Sequence, residues 1–272
     1  MTQQYLPQAP APQHQPPRRG TTVAVVALCV LAVASLVAVA VVLVRDAGDD
    51  DVATTAPSTT QTPATTARVA TTAPATTAAP KVTTPGGYGT TTCPQATGTA
   101  APVRTFTSPF VKCIDVAKKY TAVVSTNKGD LTIQLDPSIA PLTVNNFVSL
   151  ARSKYFDATQ CHRIITTFVV QCGDPTATGR GGPGYSFVDE LPKAGQYKIG
   201  SLAMANSGAN TNGSQFFIVT GSQGVALPPS YTLFGQVTAG ADTTLKTLDA
   251  VGSPSGTPKE TISITSVRIT EA

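Results

Sequence analysis

The 272-residue chain has no tryptophan, two histidines, two methionines and only 12% charged residues. One histidine, His14, lies in a Gln/Pro-rich tail, so a histidine-based triad or a multi-histidine metal site would have to be built on His162 alone. Asp174, Asp189 and Glu190 have no ligand-like spacing, which removes hydrolase and metalloenzyme chemistry and leaves no metal or cofactor to expect. The net charge of +4 comes from basic residues scattered among acidic ones from Asp115 onward. That pattern offers no stripe for nucleic acid.

Long apolar side chains are also nearly missing from Val52 to Thr92, where Thr-Thr-Ala-Pro themes repeat. Such a stretch buries too little surface to offset its ordering entropy, and it predicts a disordered, stalk-like linker over 46–92. Residues 1–20 are Gln/Pro-rich and end on Arg18 and Arg19, a composition that favours a disordered tail. Between these two segments, residues 23–44 form a Val/Ala/Leu run broken only by Cys29 and Ser35, about the 20 residues needed to cross a bilayer. The run predicts a transmembrane signal-anchor helix over 21–45. As a cleaved signal peptide its apolar core would be too long, and no small-residue cleavage site follows. Two arginines before the helix, against Arg45 and four aspartates after it, place the N-terminus in the cytoplasm and the rest outside the cell membrane.

The remaining cysteines suit an exported domain. Cys93 and Cys113 bracket a lead-in segment over 93–119, and Cys161 and Cys172 flank one hairpin. The expected pairs are Cys93 with Cys113 and Cys161 with Cys172, free thiols being the alternative.

From Tyr120 to the C-terminus the pattern is one of short β runs. "YTAVVST" and "LTIQL" surround the turn signal "NKGD" and read as a hairpin. "APLTVNNFVSLARSKYF" shifts to helical period, with Val144, Phe147, Val148 and Ala151 on one face and Pro141 in the first turn. Further strands follow at "CHRII", "FVVQC", "IGSLAMA", "SQFFIVT", "LFGQVT" and "TISITSVRI". "ADTTLKTLDAVG" reads as a second helix capped by Asp242, with Leu245 and Leu248 on one face and Gly252 beyond its end. Eight strands and two helices over 120–272 predict a mainly β fold, an antiparallel barrel covered by helices.

Two motif matches carry no chemistry. "GRGGPG" fits a dinucleotide fingerprint only formally, because no helix can begin across Pro183. "NGS" at 212–214 matches a glycosylation site but abuts a strand, and a tight turn is expected there.

"CHRIITTFVVQCGDP", "SLAMANSGANTNGSQFFIV" and "LFGQV" together resemble the cyclophilin family of peptidyl-prolyl isomerases. The resemblance runs from about Tyr120 to the C-terminus and implies the family's barrel and activity. Rotation about an Xaa-Pro bond needs no net proton transfer, which suits a polar stretch such as Met204–Gly221 that holds no acid or base. Arg163 takes the family's arginine position and would meet the proline nitrogen lone pair that appears when the amide twists. Unlike lysine or histidine, a guanidinium stays charged at any working pH.

The resemblance further implies that Phe168, Val169, Phe217, Leu227 and Tyr231 line the proline pocket. Gln171 would bond a substrate carbonyl, the Asn206 backbone would hold the residue before proline, and Gln215 would orient Arg163. Ala205, Ser207 and Gly179 would border the groove for preceding residues. The partners implied are proline-containing polypeptides of exported or cell-surface proteins, bound by a monomeric domain tethered through residues 23–44. A tethered module that binds proline segments with incidental isomerase activity is the alternative. The chain departs from the family's usual pattern at Ala226 (tryptophan), Tyr231 (histidine), Val169 (methionine) and Thr166 (proline). The missing indole implies weak cyclosporin binding.

Overall fold

The computed structural model describes residues 87–272. The tail, the 21–45 helix and nearly all of the 46–92 linker expected above lie outside the described residues. Among the described residues, no helix is long and apolar enough to cross a membrane.

Strands β1 (Tyr120–Thr126) and β2 (Gly129–Leu135) pair antiparallel around Asn127 and Lys128. Alternation buries Tyr120, Ala122 and Val124 on one strand and Leu131, Ile133 and Leu135 on the other. Helix α1 (Pro141–Arg152) follows, with Pro141 in its first turn. Its predicted apolar face is wholly buried. The ring of Phe147 stacks on Phe156 at 5.1 Å and meets Phe216 at 5.5 Å and Phe234 at 5.4 Å, at the centre of the main core.

After α1 the chain forms β3 (Thr159–Gln160), β4 (Arg163–Ile165), β5 (Val169–Cys172), β6 (Ser201–Met204) and β7 (Phe216–Val219). A single-turn helix α2 (Ser222–Val225) leads to β8 (Leu233–Ala239). A π-helical turn, Ala241–Leu245, runs into α3 (Lys246–Ala250), and β9 (Ser263–Glu271) ends the fold. All pairings are antiparallel, in the order β3-β9-β1-β2-β8-β6-β7-β5-β4, and the sheet curls into a half-barrel. An isolated bridge between Gln160 and Asp174 links its first strand to the chain just beyond β5.

Three expectations need correction. Among the described residues the strands number nine, not eight: the added one, β3, is two residues long and pairs with Ile264 and Ser263. The helices include the extra turn α2. Asp242 caps nothing, because the segment begins at Gly240 with φ 87°, a left-handed backbone that favours glycine. A Cβ there would sit 2.4 Å from the Asp130 carbonyl oxygen, and Asp242 instead pairs with Lys246 at 2.9 Å on the surface.

The lead-in segment straps over α1. Disulfides join Cys93 to Cys113 and Cys161 to Cys172. The Asn145 side chain accepts from the Cys113 N–H at 2.6 Å and donates to the Val111 carbonyl at 3.0 Å. Arg104 donates to the carbonyls of Tyr155 and Asp157, and Phe106 and Phe110 pack on Tyr185.

Candidate active site

Strand alternation creates two apolar layers. Ile164, Val170, Ile218 and Leu202 lie side by side across β4, β5, β7 and β6 and face the main core. One residue away on each strand, Arg163, Gln171, Phe217 and Ala203 form the parallel row on the other face. There Val169, Tyr197, Ala203, Phe217 and Val219 make a smaller buried cluster, with Phe168, Ala205, Leu227 and Tyr231 packed against it. The cluster floors a cup of about 170 Å³. Arg163, Gln171, Phe168 and Val169 form one part of its wall; Phe217, Leu227, Tyr231, Ala205 and Asn206 form the rest.

Arg163 Nη1 donates to Gln171 Oε1 at 3.1 Å, and the guanidinium carbon lies 5.5 Å from the centre of the Phe168 ring. Gln171 Nε2 donates in turn to Gln215 Oε1 at 2.9 Å, and Gln215 Nε2 to the Gly181 carbonyl at 2.9 Å. Gln215 therefore reaches Arg163 through Gln171 rather than directly. One N–H of the Gln171 amide is left over for a ligand carbonyl.

Phe168 closes the β4–β5 turn, its N–H donating to the Ile165 carbonyl at 3.0 Å. Thr166 donates its hydroxyl to the Asp249 carbonyl at 3.1 Å, and the Thr167 N–H donates to the Asp249 carboxylate at 2.8 Å. These bonds from the end of α3 fix a turn that lacks the family's usual proline.

Across the cup, the Tyr231 ring meets Phe217 edge-on at 5.4 Å. The buried hydroxyl of Tyr197 donates to the Tyr231 carbonyl at 2.6 Å and accepts from its N–H at 3.2 Å. Burial raises the Tyr197 hydroxyl pKa, opposed by its bond to the Tyr231 backbone. Sequence reasoning missed this residue, because Tyr197 sits in a loop with no periodic pattern. Asn206 donates its side-chain amide to the Ser230 carbonyl at 2.9 Å. Its own backbone groups bond to nothing among the described residues.

Ser207 and Gly179, expected to border the groove for preceding residues, both lie outside the proline cup. Ser207 is exposed, with its N–H on Thr211 at 2.8 Å. Gly179 belongs to a neighbouring cavity beside His162. The carboxylates serve the backbone. Glu190 accepts from the N–H groups of Leu142 and Thr143 at 3.0 and 2.8 Å, capping α1. Asp189 accepts from the Asn210 N–H at 2.7 Å and from the Asn212 amide at 2.8 Å. Asn212 is buried and forms a bridge with Phe187 rather than a tight turn. Asp174 is buried too, which would raise its pKa, but bonds from Thr176, Gly181 and Gly179 hold it below the usual carboxylate range.

An apolar cup floored by a sheet, with one guanidinium and the free backbone of Asn206 at its rim, defines a β protein with a concave, mostly apolar site. The chain belongs to the cyclophilin family: the family model "Cyclophilin type peptidyl-prolyl cis-trans isomerase/CLD" matches residues 121–269. A probable peptidyl-prolyl cis-trans isomerase B of Mycobacterium leprae is 42% identical over 171 residues, covering 55% of this chain and 56% of that protein. A protein of the same description from Mycobacterium tuberculosis is 44% identical over 161 residues, covering 52% of each chain. A putative peptidyl-prolyl cis-trans isomerase of Staphylococcus aureus is 48% identical over 139 residues, covering 50% of this chain and 68% of that one. The chain thus spans about half the length of the mycobacterial relatives. Among solved structures, a Cryptosporidium parvum cyclophilin type isomerase is 38% identical with a TM-score of 0.52, covering 56% of this chain and 98% of its own. Another structure of that protein, in the presence of the dipeptide Ala-Pro, gives a TM-score of 0.51 and covers 55% and 98%.

Proposed function

We propose that this chain is a peptidyl-prolyl cis-trans isomerase for Xaa-Pro bonds of exported or cell-surface proteins, held outside the membrane by residues 23–44. The observation that carries this reading is Arg163 at the rim of the apolar cup, fixed by Gln171. Burying three proline ring methylenes at about 0.8 kcal/mol each contributes roughly 2 kcal/mol of binding, small against a barrier of about 20 kcal/mol. The cup therefore positions the proline, and acceleration has to come from contacts made only with the twisted amide.

Amide resonance ties up the nitrogen lone pair in the planar state. As the bond rotates the lone pair reappears, and an Arg163 N–H donates to it, stabilising the transition state alone. Gln171 offers its remaining N–H to the substrate carbonyl, while the free backbone of Asn206 pairs with the residue before proline as an added strand would. Phe168, Phe217, Leu227 and Tyr231 enclose the ring. The Ala-Pro dipeptide present with the Cryptosporidium relative supports the same ligand class here.

NMR exchange spectroscopy of an Ala-Pro peptide with catalytic full-length chain tests the reading. Exchange should accelerate, and Arg163→Ala should lower the gain at least tenfold, about 1.4 kcal/mol of transition-state stabilisation, with the fold intact. A second reading, a tethered binding module, draws on exposed Ala226, which leaves the rim beside Leu227 open. Peptide capture without acceleration would favour it.

A further inference from the structure

A second cavity, of about 310 Å³, shares Arg163 and Gln171 with the proline cup and no other lining residue. A water's share of liquid volume is about 30 Å³, so this is room for a side chain. Thr178 and Gly179 form one wall, and Ser255, Gly256 and Thr257 form another, with His162 between.

The second wall is built onto the strand that carries the arginine. The Ile164 N–H donates to the Gly256 carbonyl at 2.8 Å, and the Ser253 N–H to the Ile164 carbonyl at 3.1 Å. Gly256 has φ 88°, and a Cβ on it would come within 3.1 Å of Arg163 Cγ, so the loop lies directly on the arginine stem.

The chemistry of the lining favours an anion. Its only full charge is the Arg163 guanidinium, of whose five N–H donors the described residues engage just the one on Gln171. Exposed Arg180 adds a cation beside Gly179. Asp174, whose charge reaches His162, does not line the cavity: it is buried in its own loop and accepts hydrogen bonds from Thr176, Thr178 and Gly181. The Thr178 hydroxyl is taken by Asp174 at 3.3 Å, and those of Ser255 and Thr257 complete a lining that contains no carboxylate.

We infer that this cavity takes the carboxylate side chain of a residue flanking the substrate proline, making acidic Xaa-Pro segments the preferred clients. The inference rests on the isomerase reading above. The guanidinium fork has donors enough to hold a carboxylate on one edge and address the amide nitrogen with another. Charge-assisted bonds of this kind are about twice as strong as neutral ones, so binding rather than turnover should carry the preference.

The test uses the full chain and four peptide series around one Ala-Pro bond, with Glu, Gln or Lys placed at each of the two positions on either side. Fluorescence anisotropy reads Kd and NMR exchange reads turnover. At one position Glu should bind about tenfold tighter than Gln, with Lys weaker than both. The preference should shrink as salt rises. In Thr257→Glu, which brings a like charge to the cavity mouth, the Glu-to-Gln ratio should fall to about one. Because the ratio is taken within each protein, an overall loss of activity does not enter it. Equal binding of Glu and Gln at all four positions, or a preference unmoved by Thr257→Glu, would overturn the inference. Charge-dependent binding that Thr257→Glu abolishes, without accelerated exchange, would retain the subsite and reject the isomerase reading instead.

Discussion

Arg163 and Gln171 are direct cross-strand partners on β4 and β5, joined by a 3.1 Å hydrogen bond from guanidinium to amide oxygen. Pairing fixes the positions of both backbones, but a long arginine side chain still has many rotamers. The chain of bonds from Arg163 through Gln171 and Gln215 to the Gly181 carbonyl selects one. We therefore propose Gln215 as a positioning residue that acts on the Arg163 guanidinium across two hydrogen bonds.

Gln215→Ala should lower kcat about three- to tenfold, roughly one net hydrogen bond, and change KM little. A purely structural role would show the same loss in any background. Acting through the arginine, it should disappear in the Arg163→Ala protein, which a double-mutant cycle in exchange spectroscopy reads directly. Additive losses would remove Gln215 from the relay.

The residues of this relay were legible in the sequence because β4, β5 and β7 alternate regularly and because the "CHRII", "FVVQC" and "SQFFIV" runs resemble a known family. The partition of Ile164, Val170 and Ile218 to the core and of Arg163, Gln171 and Phe217 to the site follows from period two alone once the strands are paired. What was not legible depends on tertiary contact. Thr159 and Gln160 have no strand pattern and pair only because β9 passes beside them. Glu190 caps a helix 48 residues earlier in the chain. The route from Gln215 to Arg163 through Gln171 is a choice among side-chain rotamers that residue identity does not encode.

Tyr197 deserves its own variant, since its hydroxyl satisfies both backbone groups of Tyr231. Tyr197→Phe keeps the buried ring and leaves those groups unpaired, at a cost of about 1 to 3 kcal/mol. Thermal unfolding should show Tm lowered by at least about 2 °C for a domain of this size. Because Tyr231 then loses its anchor opposite Phe217, KM should rise several-fold more than kcat falls. An unchanged KM would mean that Phe217 alone holds the Tyr231 ring.

Stability should also fall on mild acidification. Both ring nitrogens of His162 are buried without a partner among the described residues. Burial pushes the imidazole below its ordinary 6.5; the Asp174 charge pulls it partway back, and Arg163 pushes it further down. The folded protein thus keeps the ring neutral where the unfolded chain takes up a proton near 6.5. Proton uptake favours the unfolded state there, so the contribution is complete above that pH and is lost as pH falls toward the folded value. The slope is at most about 1.4 kcal/mol per pH unit. Urea midpoints measured from about pH 7.5 to about 5.5 should decline, and His162→Gln should flatten that decline. An identical decline in the variant would assign it to other groups.

The rim at Ala226 should separate affinity for a macrocycle from activity on short peptides. Ala226 is exposed at the end of α2, directly before Leu227, whose side chain lines the cup. The chain has no tryptophan, so no indole extends the wall at this point. A short Ala-Pro substrate needs only the cup and the guanidinium, whereas cyclosporin spreads over the rim and would lose a large aromatic contact. Aromatic anchors dominate such interfaces, and restoring one is commonly worth about 2 kcal/mol or more. Ala226→Trp should therefore tighten cyclosporin binding at least about tenfold by isothermal titration while changing Ala-Pro turnover less than about threefold. The new indole also supplies a fluorescence signal that the native chain lacks, and its response to the ligand would place the ring at the rim. If the affinity stays where it was, the rim does not limit cyclosporin binding, and Val169 and Tyr231 are the next positions to exchange.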